Sequence, residues 1–225
     1  MPLTENPDSP RIILIRPGCF DPSLYSIQDA MKVSTMMQDI MINEDDSFVI
    51  SGQIGILDLS GVNVGHFMQF SPTFVKKMTV MTQDSSPIRQ KGLHWINTPR
   101  GFESVFNIFT AFMNEKNRSR VSQVSLINST NVVYCLSFFQ LFVHSNLESL
   151  YKHVPKRLLP TEYGGECGSV QNIINDWDKK MTSYRDYFID EDLYYGSDEK
   201  RRIGAAKSAN FLFGVDGSFR QLTID

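Results

Sequence analysis

The architecture of this chain is best approached from the segment Gln53-Ile-Gly-Ile-Leu-Asp-Leu-Ser-Gly61. Its apolar run has the length of a sheet strand, and we predict a strand over residues 52–59. Gly52 and Gly55 lack side chains, which allows another backbone or a ligand to approach closely. Asp58 precedes Leu-Ser-Gly, a sequence typical of a turn in which the aspartate accepts hydrogen bonds from the following residues. The segment therefore predicts a buried strand that ends in a turn.

Strand and helix patterns alternate on both sides of this segment. Further strands are predicted over residues 11–16, 91–97 and 141–144, and helices over 26–43, 71–83, 99–114, 147–153 and 171–190. The first strand does not alternate between apolar and polar residues, so we expect it to be buried on both faces. Loops are expected at 44–46 and 61–65. The alternation predicts an α/β fold with a mostly parallel central sheet and flanking helices.

We expect three parts along the chain. Residues 1–10 are a polar lead-in, residues 11–190 form one domain, and residues 191–225 are a tail. The tail carries Phe211, Leu212, Phe213 and Phe219, so we expect it to dock on the domain.

Composition limits the classes of function. The chain has 225 residues, of which 41% are hydrophobic and 21% charged, as in a soluble globular protein. A net charge of −3 gives no overall attraction to nucleic acid or membrane, so a basic site must be local. Cys19, Cys135 and Cys167 fit neither a zinc site nor a disulfide framework, which favours a reducing, cytoplasmic location. We also expect no signal peptide and no membrane span, which needs about 18 apolar residues.

The sequence offers no assembled catalytic site. His66, His94, His144 and His153 occur neither in a Gly-x-Ser-x-Gly elbow nor at a metal-ligand spacing. No phosphate loop or dinucleotide fingerprint is present. We therefore expect structural histidines, no cofactor or metal, and no enzymatic activity.

The predicted helix at 99–114 is apolar around most of its circumference. Its apolar residues are Phe102, Val105, Phe106, Ile108, Phe109, Phe112 and Met113. A helix that packs on a sheet needs only one apolar stripe. Two interpretations stay open, a buried core helix or a mobile lid between a hydrophobic cavity and lipid.

Basic residues flank this helix in the sequence. Arg89 and Lys91 are two apart and share a face on a strand, whereas Lys116 and Arg120 are four apart and share a helix face. Arginine binds phosphate bidentately and lysine acts as a point charge, so two converging pairs would bind a polyphosphate head group. A solvated charged surface is the alternative.

Together these segments resemble the CRAL-TRIO lipid-binding domain family, from about residue 11 to residue 188. The resemblance is carried by Gly-Ile-Leu-Asp-Leu-Ser-Gly (55–61), Gln-Asp-Ser-Ser-Pro-Ile-Arg (83–89), Gly-Leu-His-Trp-Ile-Asn (92–97), Phe-Asn-Ile-Phe (106–109) and Leu-Pro-Thr-Glu-Tyr-Gly-Gly (159–165). It implies a sheet floor, a gate helix over residues 102–113, and one small retinoid-like or tocopherol-like lipid between them.

The resemblance also implies site residues. For the lipid pocket and gate they are Ile54, Ile56, Phe74, Met78, Phe102, Val105, Phe106, Phe109, Phe112 and Met113. For a phosphoinositide head group they are Arg89, Lys91, Lys116 and Arg120, with arginine and lysine exchanged at the two strand positions relative to the family.

The implied function is non-enzymatic binding of a hydrophobic lipid and its transfer between membranes, with head-group contact that aids gate opening. The alternative is a module that reads phosphoinositides, such as phosphatidylinositol bisphosphates, without transferring cargo. A cytoplasmic monomer that associates transiently with anionic membranes, and not with nucleic acid, is expected.

The chain departs from the family pattern in two places. We expect no counterpart of the family's N-terminal helical bundle in this sequence, because the sequence begins almost at the first strand. Residues 121–140 also have no counterpart, and we interpret them as an insertion, either a genuine loop or a translated, unspliced intron. Within them, residues 132–139 are uncharged, apolar and β-prone, a pattern associated with aggregation.

Overall fold

A five-stranded sheet organises the molecule. The computed structural model describes residues 1–2, 4–82, 86–99, 102, 131–135, 140–194, 201 and 203–204. The strands are β1 Arg11–Ile15, β2 Gln53–Asp58, β3 Gln90–Ile96, β4 Asn131–Cys135 and β5 Gln140–His144, in the spatial order β1-β2-β3-β5-β4. The first three strands and β5 are parallel, and β4 pairs antiparallel to β5 at the edge. The predicted α/β fold with a mostly parallel sheet and flanking helices is confirmed.

Helices connect and flank these strands. They are α1 Ile27–Glu44, α2 Asp46–Ser51, α3 Val64–Met68, α4 Pro72–Val80, α5 Leu147–Tyr151, α6 Val170–Ser183 and α7 Arg185–Tyr194. Short 3₁₀ turns occur at Pro17–Cys19, Lys156–Leu158 and Thr161–Tyr163. None of the helices in the described part of the chain combines the length and apolarity needed to cross a bilayer.

Caps explain where several helices begin. The Ser26 hydroxyl accepts a hydrogen bond from the Asp29 amide at 3.2 Å, and the Asp29 carboxylate accepts one from the Ser26 amide. The expected loop at 44–46 and turn at 61–65 are wrong in part, because α2 and α3 begin there. Asp45 and Asn63 provide the reason, since each side chain accepts hydrogen bonds from the amides of the helix that follows.

The single helix predicted over 171–190 is also wrong. It is divided into α6 and α7 at Tyr184, whose φ of −91° and ψ of 8° depart from helical values. The Tyr184 amide donates to the carbonyl oxygens of both Lys180 and Met181 at 3.2 Å, which closes the last turn of α6.

One face of the sheet, the closed face, is the more completely packed of the two. It carries Ile12, Leu14, Ile54, Ile56, Asp58, His94, Ile96, Phe142 and His144. Its central side chains are almost inaccessible, for example Ile56 at 1% exposure. They pack against residues that follow β5, namely Leu150, Val154, Leu158, Leu159, Tyr163 and Val170.

The opposite face, the open face, is covered less completely. It carries Ile13, Ile15, Gln53, Gly55, Leu57, Leu93, Trp95 and Val143. Leu57, Leu93 and Val143 are only half-buried, although they belong to an apolar cluster with Trp95. Ile15 is 39% exposed, so the expectation that the first strand is buried on both faces is wrong. Within β1 only Ile12 is fully buried, because β1 lies at the edge of the sheet.

Candidate functional site

The open face meets the start of the apolar segment that the sequence predicts to be a gate. Phe102 is buried, and its ring contacts the Trp95 ring edge-on with the centroids 4.5 Å apart. Leu59 and Val62, in the turn after β2, belong to the same cluster. The other predicted gate residues, Val105, Phe106, Phe109, Phe112 and Met113, lie outside the described residues. The described part of the site is therefore an apolar floor with Phe102 beside it.

Two predicted pocket residues lie on the other side of the sheet. Ile56 belongs to the cluster on the closed face, and Ile54 packs against that cluster. Successive side chains of a strand point to opposite faces, so the residues of β2 that share a face with Phe102 are Gln53, Gly55 and Leu57. The structure does not bring Ile54 and Ile56 together with Phe102.

The remaining two predicted pocket residues lie on α4. Phe74 is buried and meets Phe70 edge-on, with the ring centroids 5.8 Å apart. Met78, one helical turn later, is half-buried. Phe74 belongs to neither of the two clusters that pack on the sheet.

Arg89 and Lys91 lie at the beginning of β3, and both are exposed. Gln53 pairs with Gln90, but the next residue of β2 pairs with Gly92, so Lys91 is the extra residue of an irregularity in β3. This irregularity means that strand alternation does not fix the relative directions of the two basic side chains. Lys116 and Arg120 lie outside the described residues, so their convergence with this pair stays a prediction.

A close backbone contact fixes the position of Arg89. The Gln53 amide donates to the Arg89 carbonyl oxygen at 2.9 Å. Gly52 has a φ of 81°, and a Cβ atom there would lie 2.1 Å from the same oxygen. The prediction that Gly52 allows another backbone to approach is confirmed.

Two glutamines form a polar pair on the open face. The Gln53 Nε2 donates to the Gln90 Oε1 at 2.8 Å, and the Gln90 Nε2 donates to the Gly92 carbonyl oxygen at 2.8 Å. The Gln53 Oε1 is buried and has no hydrogen-bond donor among the described residues. Sequence reasoning missed this pair; the available signal was a glutamine at the start of an otherwise apolar strand.

Asp58 connects the end of β2 with Asn97, which follows β3, and with Tyr163 in a later 3₁₀ turn. Its Oδ1 accepts hydrogen bonds from Ser60 and from the Asn97 amide, the latter at 2.8 Å, and its Oδ2 accepts one from the Tyr163 hydroxyl at 2.5 Å. Burial raises the pKa of Asp58, but these hydrogen bonds outweigh it and keep the pKa below its usual value. Arg16 adds a positive charge 3.9 Å away. The turn predicted at Asp58 is confirmed, and its carboxylate acts as a structural acceptor.

Three histidines come together on the closed face. The His94 Nδ1 lies 2.9 Å from the His144 Nε2, and the His144 Nδ1 lies 2.8 Å from the Ser149 hydroxyl oxygen. The ring of His153 lies against both, with its centroid 5.6 Å from that of His94. Burial, followed by the neighbouring histidines, lowers the pKa of His94 to about 3 and that of His144 to about 4. Within the described residues, no three potential ligands are arranged to hold a metal ion.

A separate cavity of about 300 Å³ lies between α1, α6 and the lead-in. Charged residues contribute to its lining, among them Arg11, Glu44, Asp45 and Lys180. Such a lining does not suit a hydrophobic lipid, so this cavity is not the candidate site.

Comparison with known proteins agrees with this geometry. The model of the CRAL/TRIO domain family matches residues 3–134. A Homo sapiens protein named alpha-tocopherol transfer protein-like is 29% identical over 192 residues, which are 85% of this chain and 49% of that protein. Human clavesin-2 is 24% identical over 189 residues, which are 84% of this chain and 50% of that protein. The chain thus spans about half the length of the curated relatives it matches.

The family match includes the segments that build the open face. It contains β1, β2 and β3, the helices between them, and Phe102. It also covers more than half of the 225 residues. The chain therefore belongs to the CRAL/TRIO domain family.

Proposed function

We propose that this chain binds a small hydrophobic lipid on the open face and transfers it between membranes without chemical change. The observation that carries the proposal is the half-buried apolar floor beside Phe102. Covering apolar surface contributes about 25 cal/mol per Å² removed from water, so a lipid gains affinity there without a charged anchor. The membership of this chain in the CRAL/TRIO domain family supports this proposal, as does the name of a relative, alpha-tocopherol transfer protein-like.

In this proposal, Leu57, Leu93 and Trp95 form the floor of the pocket and Phe102 begins its cover. The cover continues with Val105, Phe106, Phe109, Phe112 and Met113. Phe74 and Met78 of α4 contribute to a wall, while Ile54 and Ile56 support the floor from the closed face. No cofactor is required, because apolar contact alone holds the cargo.

The basic residues supply the link to membranes. Arg89 and Lys91 are exposed at the start of β3, and Lys116 and Arg120 follow the proposed gate. A phosphoinositide head group that binds all four residues more tightly when the gate is open shifts the gate toward opening. We therefore propose transient association of a cytoplasmic monomer with anionic membranes.

An exposed apolar patch also suits contact with a membrane. Its members are Leu24, Tyr25, Val64 and Met68, which are 74%, 60%, 73% and 79% exposed. Gln69 joins the two segments that carry them, because its Nε2 donates to the carbonyl oxygens of Pro22 and Tyr25. The patch follows the carboxyl ends of β1 and β2, the end of the sheet at which Phe102 also lies.

A second candidate function is recognition of phosphoinositides without cargo transfer. The exposure of Arg89 and Lys91 favours it, since head-group binding needs no lipid pocket. Mass spectrometry of lipid extracted from natively purified protein separates the two functions. Hydrophobic lipid near one molecule per chain supports the carrier. Cargo-free protein that still binds phosphoinositide vesicles supports the second function and contradicts the first.

A further inference from the structure

The Gln53 side chain presents a buried hydrogen-bond acceptor, its Oε1. This oxygen is inaccessible to solvent and has no donor among the described residues. A buried carbonyl oxygen without a donor destabilises the state that contains it. Because such atoms are rare in folded proteins, each one calls for an explanation, and one explanation is a bound group that supplies the missing donor.

The orientation of the Gln53 amide is fixed by its neighbours. The Gly92 carbonyl oxygen can only accept, so the Gln90 amide must direct its Nε2 toward it and its Oε1 toward Gln53. Gln53 must then direct its own Nε2 toward the Gln90 Oε1, which lies 2.8 Å away. The Oε1 of Gln53 is consequently the end of this chain of hydrogen bonds, and only a donor can complete it.

Gln53 lies on the same side of the sheet as the proposed lipid. A Cβ atom at Gly55 would approach Leu93 Cδ1 at 2.7 Å and Gln90 Nε2 at 3.2 Å, so both side chains occupy the open face. Gln53, Gly55 and Leu57 share that face along β2. Gln53 lies about 13 Å along the strand from Leu57, at roughly 3.3 Å per residue. The face therefore carries a polar end at Gln53 and an apolar end near Leu57, Trp95 and Phe102.

We propose that the Gln53 Oε1 accepts a hydrogen bond from a hydroxyl group of the bound lipid. This inference rests on the carrier function proposed above and names its class of cargo, an elongated hydrophobic alcohol. An aldehyde, ether or ester has no hydrogen to donate, and a carboxylate would face the carbonyl oxygen with a negative charge. Among these oxygen-containing groups, the alcohol is selected because it alone donates a hydrogen bond to the buried acceptor.

The test compares two probes, a fluorescent long-chain alcohol and its methyl ether, by titration of the 225-residue chain. The unsubstituted chain is expected to bind the alcohol about three- to tenfold more tightly than the ether, the usual range for one neutral hydrogen bond. Gln53→Leu is expected to bring the alcohol-to-ether ratio close to one. The ratio is informative because any general loss of stability weakens both probes alike.

Two further variants serve as controls for the effect of Gln53→Leu. Gln53→Leu alone deprives the Gln90 Oε1 of its donor, so the double variant Gln53→Leu/Gln90→Leu removes both amides and is expected to give the same ratio near one. Gln28→Leu, an exposed glutamine on α1, is the matched control and is expected to keep the full preference.

The outcomes distinguish failure of the proposed role of Gln53 from failure of the proposed carrier function. If neither probe binds the unsubstituted chain, the carrier function itself is contradicted. If both probes bind equally, or if Gln53→Leu retains the preference for the alcohol, the carrier function survives and the role of Gln53 is overturned.

Discussion

His94 and His144 lie side by side on the parallel strands β3 and β5, with their Nδ1 and Nε2 atoms 2.9 Å apart. Both side chains are buried, at 2% and 4% exposure. The Ser149 hydroxyl donates to the Asn146 carbonyl oxygen, so it accepts from the His144 Nδ1, and the His144 Nε2 accepts from His94. In this arrangement His144 is neutral, because a proton on its Nε2 would face the Nδ1–H of His94. Burial, followed by the neighbouring histidines, disfavours a positive charge on His94.

Acid should therefore destabilise the fold through this pair. The pKa values of about 3 and about 4 lie below the ordinary 6.5, so the unfolded chain takes up protons first as the pH falls. The stability contributed by the neutral pair is complete above pH 6.5 and decreases below it, by up to about 1.4 kcal/mol per pH unit for each histidine, until the pH reaches the folded-state values. His153 adds to the effect, because its charge lowers the pKa of both histidines. Burial, followed by the charge of Lys152, lowers the pKa of His153 itself.

Denaturant unfolding between pH 8 and pH 4.5 measures this slope. His94→Asn places an amide donor near the position of the His94 Nδ1 and removes one titrating group, so the decrease in unfolding free energy with acid is expected to be less steep. An unchanged slope in His94→Asn would contradict the assignment.

The hydroxyl of Tyr163 should contribute measurably to stability. Tyr163→Phe removes the donor that lies 2.5 Å from the Asp58 Oδ2 and leaves a buried carboxylate oxygen with one hydrogen bond fewer. We expect a loss of about 1.5–3 kcal/mol in the free energy of unfolding, the range for hydrogen bonds to charged groups. Tyr25→Phe, at a site 60% exposed, is the control and should change stability by less than about 0.5 kcal/mol. Equal effects of the two substitutions would show that the Asp58 contact does not stabilise the fold.

The four parallel strands could be predicted from the sequence because each is a short apolar run, whereas β4 was not predicted, since it lies within the segment interpreted as an insertion. The same apolar character made it impossible to predict which side chains of β2 point toward the proposed lipid. Ile54, Ile56 and Leu57 are all apolar, so period-two alternation does not indicate which of them shares a face with Phe102. Which face becomes the closed face depends on where the segment after β5 packs, and this packing is a tertiary property.

Two polar features escaped prediction for a related reason. The His94 and His144 pair joins residues 50 positions apart, and the Gln53 and Gln90 pair joins residues 37 positions apart. Both pairs depend on the register between strands, which the local sequence does not fix. The break at Tyr184 was missed because no proline or glycine marks it.

Charge reversal at the proposed head-group site should weaken transfer to membranes but not lipid uptake. Each basic residue near an anionic surface contributes about 1 kcal/mol, so Arg89→Glu/Lys116→Glu is expected to reduce affinity for phosphoinositide vesicles roughly thirtyfold or more. Uptake of a fluorescent lipid from detergent should be preserved, because the apolar floor is unchanged. Lys179→Glu/Arg185→Glu, two reversals at side chains 79% and 72% exposed on α6 and α7, is the matched control for net charge. An equal loss of uptake and transfer in the double variant would contradict a separate head-group site.

Removal of residues 121–139 should leave the parallel sheet intact. The strand β5 pairs with β3 through Gly92 with Gln140 and through Trp95 with Val143, whereas β4 only extends the edge beyond β5. Since residues 132–139 are uncharged and β-prone, their deletion is expected to reduce aggregation while the far-ultraviolet circular dichroism spectrum retains its mixed α/β form. Light scattering during thermal unfolding measures the first effect. Loss of folded structure in the deletion variant would mean that β4 is needed to protect the edge of β5, and that the segment is an integral part of the fold.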